Sequence, residues 1–190
     1  MAPTAQVDII LVQHLLNYWA GCGINMSQLW PVLGIDPNAP LPRWIDTDRV
    51  ADAYDYVNRQ LDDPLFAYDL GVYMARRDMP LQRLLRYAPS LRKGIESLIP
   101  YVYLNTGSLR YTVDTSQADA ITIGVERHPE RHVSPLQLVA AVVIMATVCR
   151  DVLGEGFVNS DLLIHLPEGQ VGDAVAAMSV TGMPVIATDG

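Results

Sequence analysis

The chain has 190 residues, half of them apolar, with 13 Lys and Arg against 21 Asp and Glu for a formal net charge of −8. That is enough chain for one domain with a real core and too little for two generous ones. A sequence pI near 4.8 excludes non-specific attraction to phosphate backbones or anionic lipid by this chain alone, so it should bind DNA poorly.

The first apolar stripe, Val7, Ile10, Leu11, Leu15 and Tyr18, predicts a helix from Val7 to Trp19, ended by "GCG" at 21–23. Ser27 is the expected cap of a short helix that Gly34 closes. A proline-rich crossing through Pro37, Pro40 and Pro42 then carries Trp44 in a loop. Beyond it, Asp46 or Thr47 should cap a helix with Val50, Ala53, Tyr54, Val57 and Leu61 on its inner face. Asp63-Pro64 restarts a helix by the first-turn proline rule, reaching about Ala75, and Met79 to Tyr87 forms a short one. Ser90 caps the next helix, in which Pro100 should cause a kink or an end near Glu96 to Pro100.

After Gly107 the apolar period changes from about 3.6 to 2. Leu109, Tyr111 and Val113, then Ile121, Ile123 and Val125, predict a hairpin with one dry and one wet face. Ser134-Pro135 opens an apolar helix to Leu153 that Gly154 closes. Its longest apolar run, Leu138 to Val148, is too short to span a bilayer and reads as a core helix. Residues 161–167 are expected as a third strand, Val171 to Met178 as a short helix and 183–188 as a fourth strand. The fold class is α+β: an N-terminal helical layer, about 5–105, then a four-stranded, mostly antiparallel sheet packed against the long apolar helix, about 106–190. Residues 1–190 read as a single domain.

Motifs for chemistry are sparse. There is no glycine-rich phosphate loop, no G-x-S-x-G elbow, no H-E-x-x-H and no paired CxxC, so no catalytic residue and no cofactor is assigned. His128 and His132 in "RHPERH" lack a third ligand and read as a solvated loop, so no metal is assigned. His14 and His165 read as structural histidines. Cys22 and Cys149 read as buried free thiols of a reducing cytoplasm, and "MAPTAQVD" has no basic n-region for a signal peptide. Tyr101, Tyr103 and Tyr111 gather where the kinked helix meets the first hairpin strand. With Trp44 they offer apolar area and hydroxyls suited to a pocket wall, although filling the core edge explains each singly. Arg86 and Arg110 are the candidate anchors for an anionic ligand, and Leu138, Ala141 and Met145 the candidate lining on the long helix.

The order of segments resembles the N-terminal effector-binding, arabinose-binding-type domain of AraC/XylS-type bacterial transcriptional regulators. "LLNYWAGCGINMSQLWPVLGID", "IDTDRVADAYDYVNRQLDDPLFAYDLGVYM", "MPLQRLLRYAPSLRKGIESLIPYVYLNTGSLRYTV" and "AVAAMSVTGMPVIAT" carry it. The turn Asp62-Asp63-Pro64-Leu65-Phe66 and the break Ala88-Pro89-Ser90-Leu91 are similar to the family's. Pro100 departs from it, falling where family helices run on. The resemblance implies a cytoplasmic, homodimeric sensor domain that binds a small effector and controls an attached helix-turn-helix DNA-binding domain, which this chain does not contain. The apolar lining favours a hydrophobic or amphipathic effector over a sugar. The rival readings are a ligand-free dimerisation module and a small enzyme using the tyrosine cluster with His128 or His132.

Overall fold

The computed structural model describes residues 5–61, 63–77, 85, 87–117, 120–153, 163–167, 170 and 173–188, with the backbone only at 100–106, 153 and 188. Strand β1 (Gln6–Asp8) leads directly into α1 (Ile9–Gly21), because Asp8 turns the chain and its Oδ1 accepts from Ile10 N at 2.9 Å. Val7, expected in the first helix, instead pairs with Ile45 of β2 (Trp44–Asp46) in an antiparallel ladder. Three-residue strands are too short for a period to reveal. Helix α2 (Met26–Leu33) is capped by Asn25, whose Oδ1 accepts from both Ser27 N at 3.1 Å and Ser27 Oγ at 2.7 Å, and not by Ser27. Gly34, with φ 68°, closes it in the left-handed conformation as expected.

Asp46 caps α3 (Thr47–Gln60) by accepting from Asp48 N at 2.8 Å. Helix α4 (Phe66–Ala75) starts after Asp63-Pro64, and α5 (Leu91–Thr106) after Ser90, whose Oγ accepts from Lys93 N at 3.2 Å. Helix α5 does not end at Pro100 but runs on to Thr106. Of the short helix expected at 79–87 only Leu85 and Tyr87 are described, and the closure at Gly154 lies outside the described residues.

Strands β3 (Leu109–Asp114) and β4 (Thr122–Arg127) form the expected hairpin, with Tyr111 opposite Val125 and Val113 opposite Ile123. Helix α6 (Pro135–Leu153) follows. Strand β5 (Ile164–Pro167), helix α7 (Ala174–Thr181) and strand β6 (Val185–Thr188) form a parallel strand–helix–strand unit.

The mixed helix and strand composition stands, but the four-stranded sheet does not. Among the described residues there are three separate two-stranded sheets, β1–β2, β3–β4 and β5–β6, and the last is parallel. Helix α6 lies between the hairpin and the β5–α7–β6 unit and touches β4 and β5, so a helix stands where one sheet was expected to continue.

One continuous apolar cluster joins α1 to α4 with α6, β5, α7 and β6, and Trp19 and Tyr68 are fully buried in it. Helices α4 and α6 are in the closest contact: a Cβ on Gly71 would lie 2.6 Å from Val143 Cβ and 3.0 Å from the Ala140 carbonyl oxygen. At 19 residues α6 is long and apolar enough, by length and composition, to cross a membrane; 67% of that stretch is buried in the fold, as in a core helix.

Candidate functional site between the hairpin and the long helix

The two-residue period of β3 and β4 puts Leu109, Tyr111 and Val113 on one face with Ile123 and Val125. That face packs on the stripe of α6 made by Leu138, Ala141, Met145 and Val148, three or four residues apart on one side, with Cys149 one turn after Met145. The α6 stripe is buried, whereas Tyr111, Val113, Ile121, Ile123 and Val125 on the hairpin are only partly buried. Ile95 and Leu98 of α5 pack into the same cluster as Met145, Val148 and Cys149, and Tyr111 belongs to both apolar clusters.

Of the nine residues singled out in the sequence, the fold brings together four: Tyr111, Leu138, Ala141 and Met145. Arg110 points the other way, exposed on the outer hairpin face opposite Glu126, because neighbours along a strand alternate sides. Trp44 is 44% exposed in β2, with the Arg43 guanidinium 5.2 Å from its ring centre. Arg86 lies outside the described residues, as do the side chains of Tyr101 and Tyr103 in α5.

The apolar spacing gave no warning of the polar groups beside this face. Tyr54, its ring edge-on to Trp19 at 5.3 Å between centroids, is buried on the inner side of α3. Burial pushes the phenols of Tyr54 and Tyr111 well above the ordinary tyrosine range, and for Tyr54 the Tyr111 hydroxyl adds to the effect. Both phenols therefore stay neutral at physiological pH. Gln137, just before the apolar run of α6, is buried and donates from Nε2 to Ser108 Oγ at 3.2 Å. Its position three residues after Ser134 and four before Ala141 was the available signal.

The histidine pair separates. His132 Nε2 lies 2.7 Å from Asp55 Oδ2 and 3.8 Å from Asp52 Oδ1, tying the 128–134 loop to α3. His128 Nδ1 accepts from Glu130 N at 3.3 Å within that loop. No set of three metal-ligating side chains occurs among the described residues. Both cysteines are free; Cys22, expected to be buried, is exposed at the end of α1, and burial pushes the Cys149 thiol up to about 12.

The arrangement is an apolar face with a few uncharged hydrogen-bonding groups beside it. Residues 23–186 match the family described as the arabinose-binding domain of AraC transcription regulators, N-terminal, and the chain belongs to that family. It is therefore a ligand-binding, regulatory class of domain, found in transcription regulators. Comparison with curated proteins gives no match.

Proposed function

We propose that residues 1–190 form one sensor domain of an AraC-type regulator, cytoplasmic and homodimeric, that binds a small effector and controls an attached DNA-binding domain. The effector lies between the partly covered hairpin face and α6, against Tyr111, Leu138, Ala141 and Met145, with Tyr54 and Gln137 at its margin. The observation that carries this placement is the unequal burial of the two facing surfaces: the α6 stripe is buried while the hairpin face opposite keeps area to cover. An effector that covers this face favours one arrangement of hairpin on helix over another, and an attached domain that senses the arrangement is switched by that difference in affinity. Arg110 and Trp44 are left out of the site because they face solvent.

Native mass spectrometry of the purified chain tests the reading: a small molecule bound to the native protein and released by mild denaturation is the expected result. Ala141→Trp, which fills the face from the α6 side, should abolish that binding while leaving the circular dichroism spectrum unchanged. A folded Ala141→Trp protein that still carries the molecule rejects the placement. Sedimentation velocity reads the dimer directly.

A second reading, a protein-interaction module without a ligand, draws support from exposed apolar side chains on the last unit: Val175 is 77% exposed, Met178 48% and Ile186 40%. A ligand-free chain that self-associates through a variant-sensitive α7 would favour it.

A further inference from the structure

Six polar residues are buried among the described residues: Thr47, Ser108, Ser134, Gln137, Thr147 and Thr181. Thr181 is well served, its Oγ1 lying 2.9 Å from the Ala177 carbonyl oxygen and accepting from Met183 N at 3.2 Å. Four of the others converge. Gln137 Nε2 reaches Ser108 Oγ, and a Cβ on Gly107, next to Ser108, would lie 2.8 Å from Thr47 Cγ2. Ser134 precedes Gln137 by one helical turn at the start of α6, where its carbonyl accepts from Leu138 N at 3.1 Å. His128 N donates to the Ser108 carbonyl at 3.0 Å, and Arg131 Nη1 stands 3.6 Å from Asp48 Oδ2, drawing the loop before α6 onto the same corner.

Within this corner the Thr47 Oγ1, Ser134 Oγ and Gln137 Oε1 atoms are buried without a hydrogen-bond partner, and so is Asp48 Oδ1, although the Asp48 side chain as a whole is 45% exposed. Each such group costs a fold the desolvation of a polar atom with no return. Four in one corner call for a common partner. The corner borders the proposed effector face along the chain: Ser108 adjoins Leu109, Ser134 adjoins Val133, and Leu109, Val133, Leu138 and Ala141 form one cluster with Tyr111. Thr47 and Tyr54 lie on the same buried side of α3.

We propose that this corner is the polar floor of the effector site and that it selects an uncharged, hydroxyl-bearing head on a molecule whose apolar body lies along the hairpin face. The inference rests on the reading of that face as the effector site. A hydroxyl both donates and accepts, which matches a floor made of two hydroxyls, an amide oxygen and a carboxylate oxygen. A carboxylate head finds only acceptors and hydroxyls there, the nearby Arg131 guanidinium being paired with Asp48. An ammonium head would sit beside an aspartate that Arg131 already balances.

Three probes that differ only in the head test it: 1-octanol, sodium octanoate and octylammonium chloride, titrated into the full chain by isothermal calorimetry and followed by amide NMR. The expected result is that 1-octanol binds at least about tenfold more tightly than either ion, the worth of about one hydrogen bond. Its amide shifts should centre on the first turns of α3 and α6 and on β3. Thr47→Val and Gln137→Leu should each reduce the octanol-to-octanoate ratio several-fold, a readout that a merely structural role would leave alone. Binding at this face with no preference among heads, or with a ratio unchanged in both variants, overturns the polar floor while leaving the effector face standing. Failure of all three probes to shift hairpin or α6 amides overturns both.

Discussion

Helix α6 is packed in two different ways on its two sides. Toward α4 it meets a glycine, and Val143 and the Ala140 carbonyl come so near Gly71 that a methyl group there has no room. Toward the hairpin it presents Leu138, Ala141 and Met145 to strands whose inward residues stay partly buried, beside a corner of unpartnered oxygens. The first side is closely packed and the second is less so. A close-packed interface resists rearrangement, whereas a face with area and hydrogen bonds left over gains by accepting a molecule. The tight side fixes α6 on α4.

Breaking the tight side should have the largest effect. Gly71→Val places two methyl groups against Val143 inside a helix pair that cannot part without exposing the main core, and should cost about 3 kcal/mol in a urea unfolding curve. Unfolding at the wild-type midpoint would show that α4 and α6 have slack, and the contrast between the two sides would lapse.

Loosening the open side should cost less and stay local. Arg92, on the first turn of α5, donates to the carbonyls of Thr115 at 3.3 Å, Gln117 at 3.0 Å and Ala120 at 3.1 Å, and so pins the β3–β4 turn to the helix. Arg92→Ala should lower stability by about 1–2 kcal/mol, the bonds being partly open to water. In hydrogen–deuterium exchange the loss of protection should be confined to β3 and β4, with α4 unchanged. Equal losses in α4 would mean that the two sides open as one unit.

How much of this contrast could be read from the chain depends on which side is considered. The hairpin announced itself through the change of period at Gly107, and the apolar α6 through its length and its Ser-Pro start, because both signals are local. Asp46 and Ser90 were legible as caps for the same reason. The parallel pairing of β5 with β6 was not, since nothing in either segment states its partner, and the strands were assigned to the hairpin's sheet instead. Within the candidate site, Tyr111, Leu138, Ala141 and Met145 were found by apolar spacing. Thr47, Tyr54 and Gln137 were passed over or given other roles because a polar residue on an inner face looks, in sequence, like a cap or an edge. Arg110 was included on charge alone, although the period that found Tyr111 already sent its neighbour outward.

The smallest expected effect measures how dry the hairpin side of α6 is at depth. Cys149 lies on that side with Met145 and Val148, packed near Ile95 and Leu98, and burial alone lifts its thiol from 9.0 to about 12. A thiol whose folded value is raised binds its proton in the folded chain where the unfolded chain has released it. Its contribution is therefore intact below 9.0 and is lost as the pH climbs from 9.0 through about 12. At about pH 10 that loss is about 1 kcal/mol, and the raised phenols of Tyr54 and Tyr111 act in the same direction at higher pH. Cys149→Val removes the thiol and should flatten the first part of the alkaline decline in urea stability. In the native wild type a thiol reagent should modify the exposed Cys22 and spare Cys149, reaching Cys149 only after denaturation. Rapid native labelling of Cys149 would place water beneath the hairpin and reduce the open side to a loosely packed core.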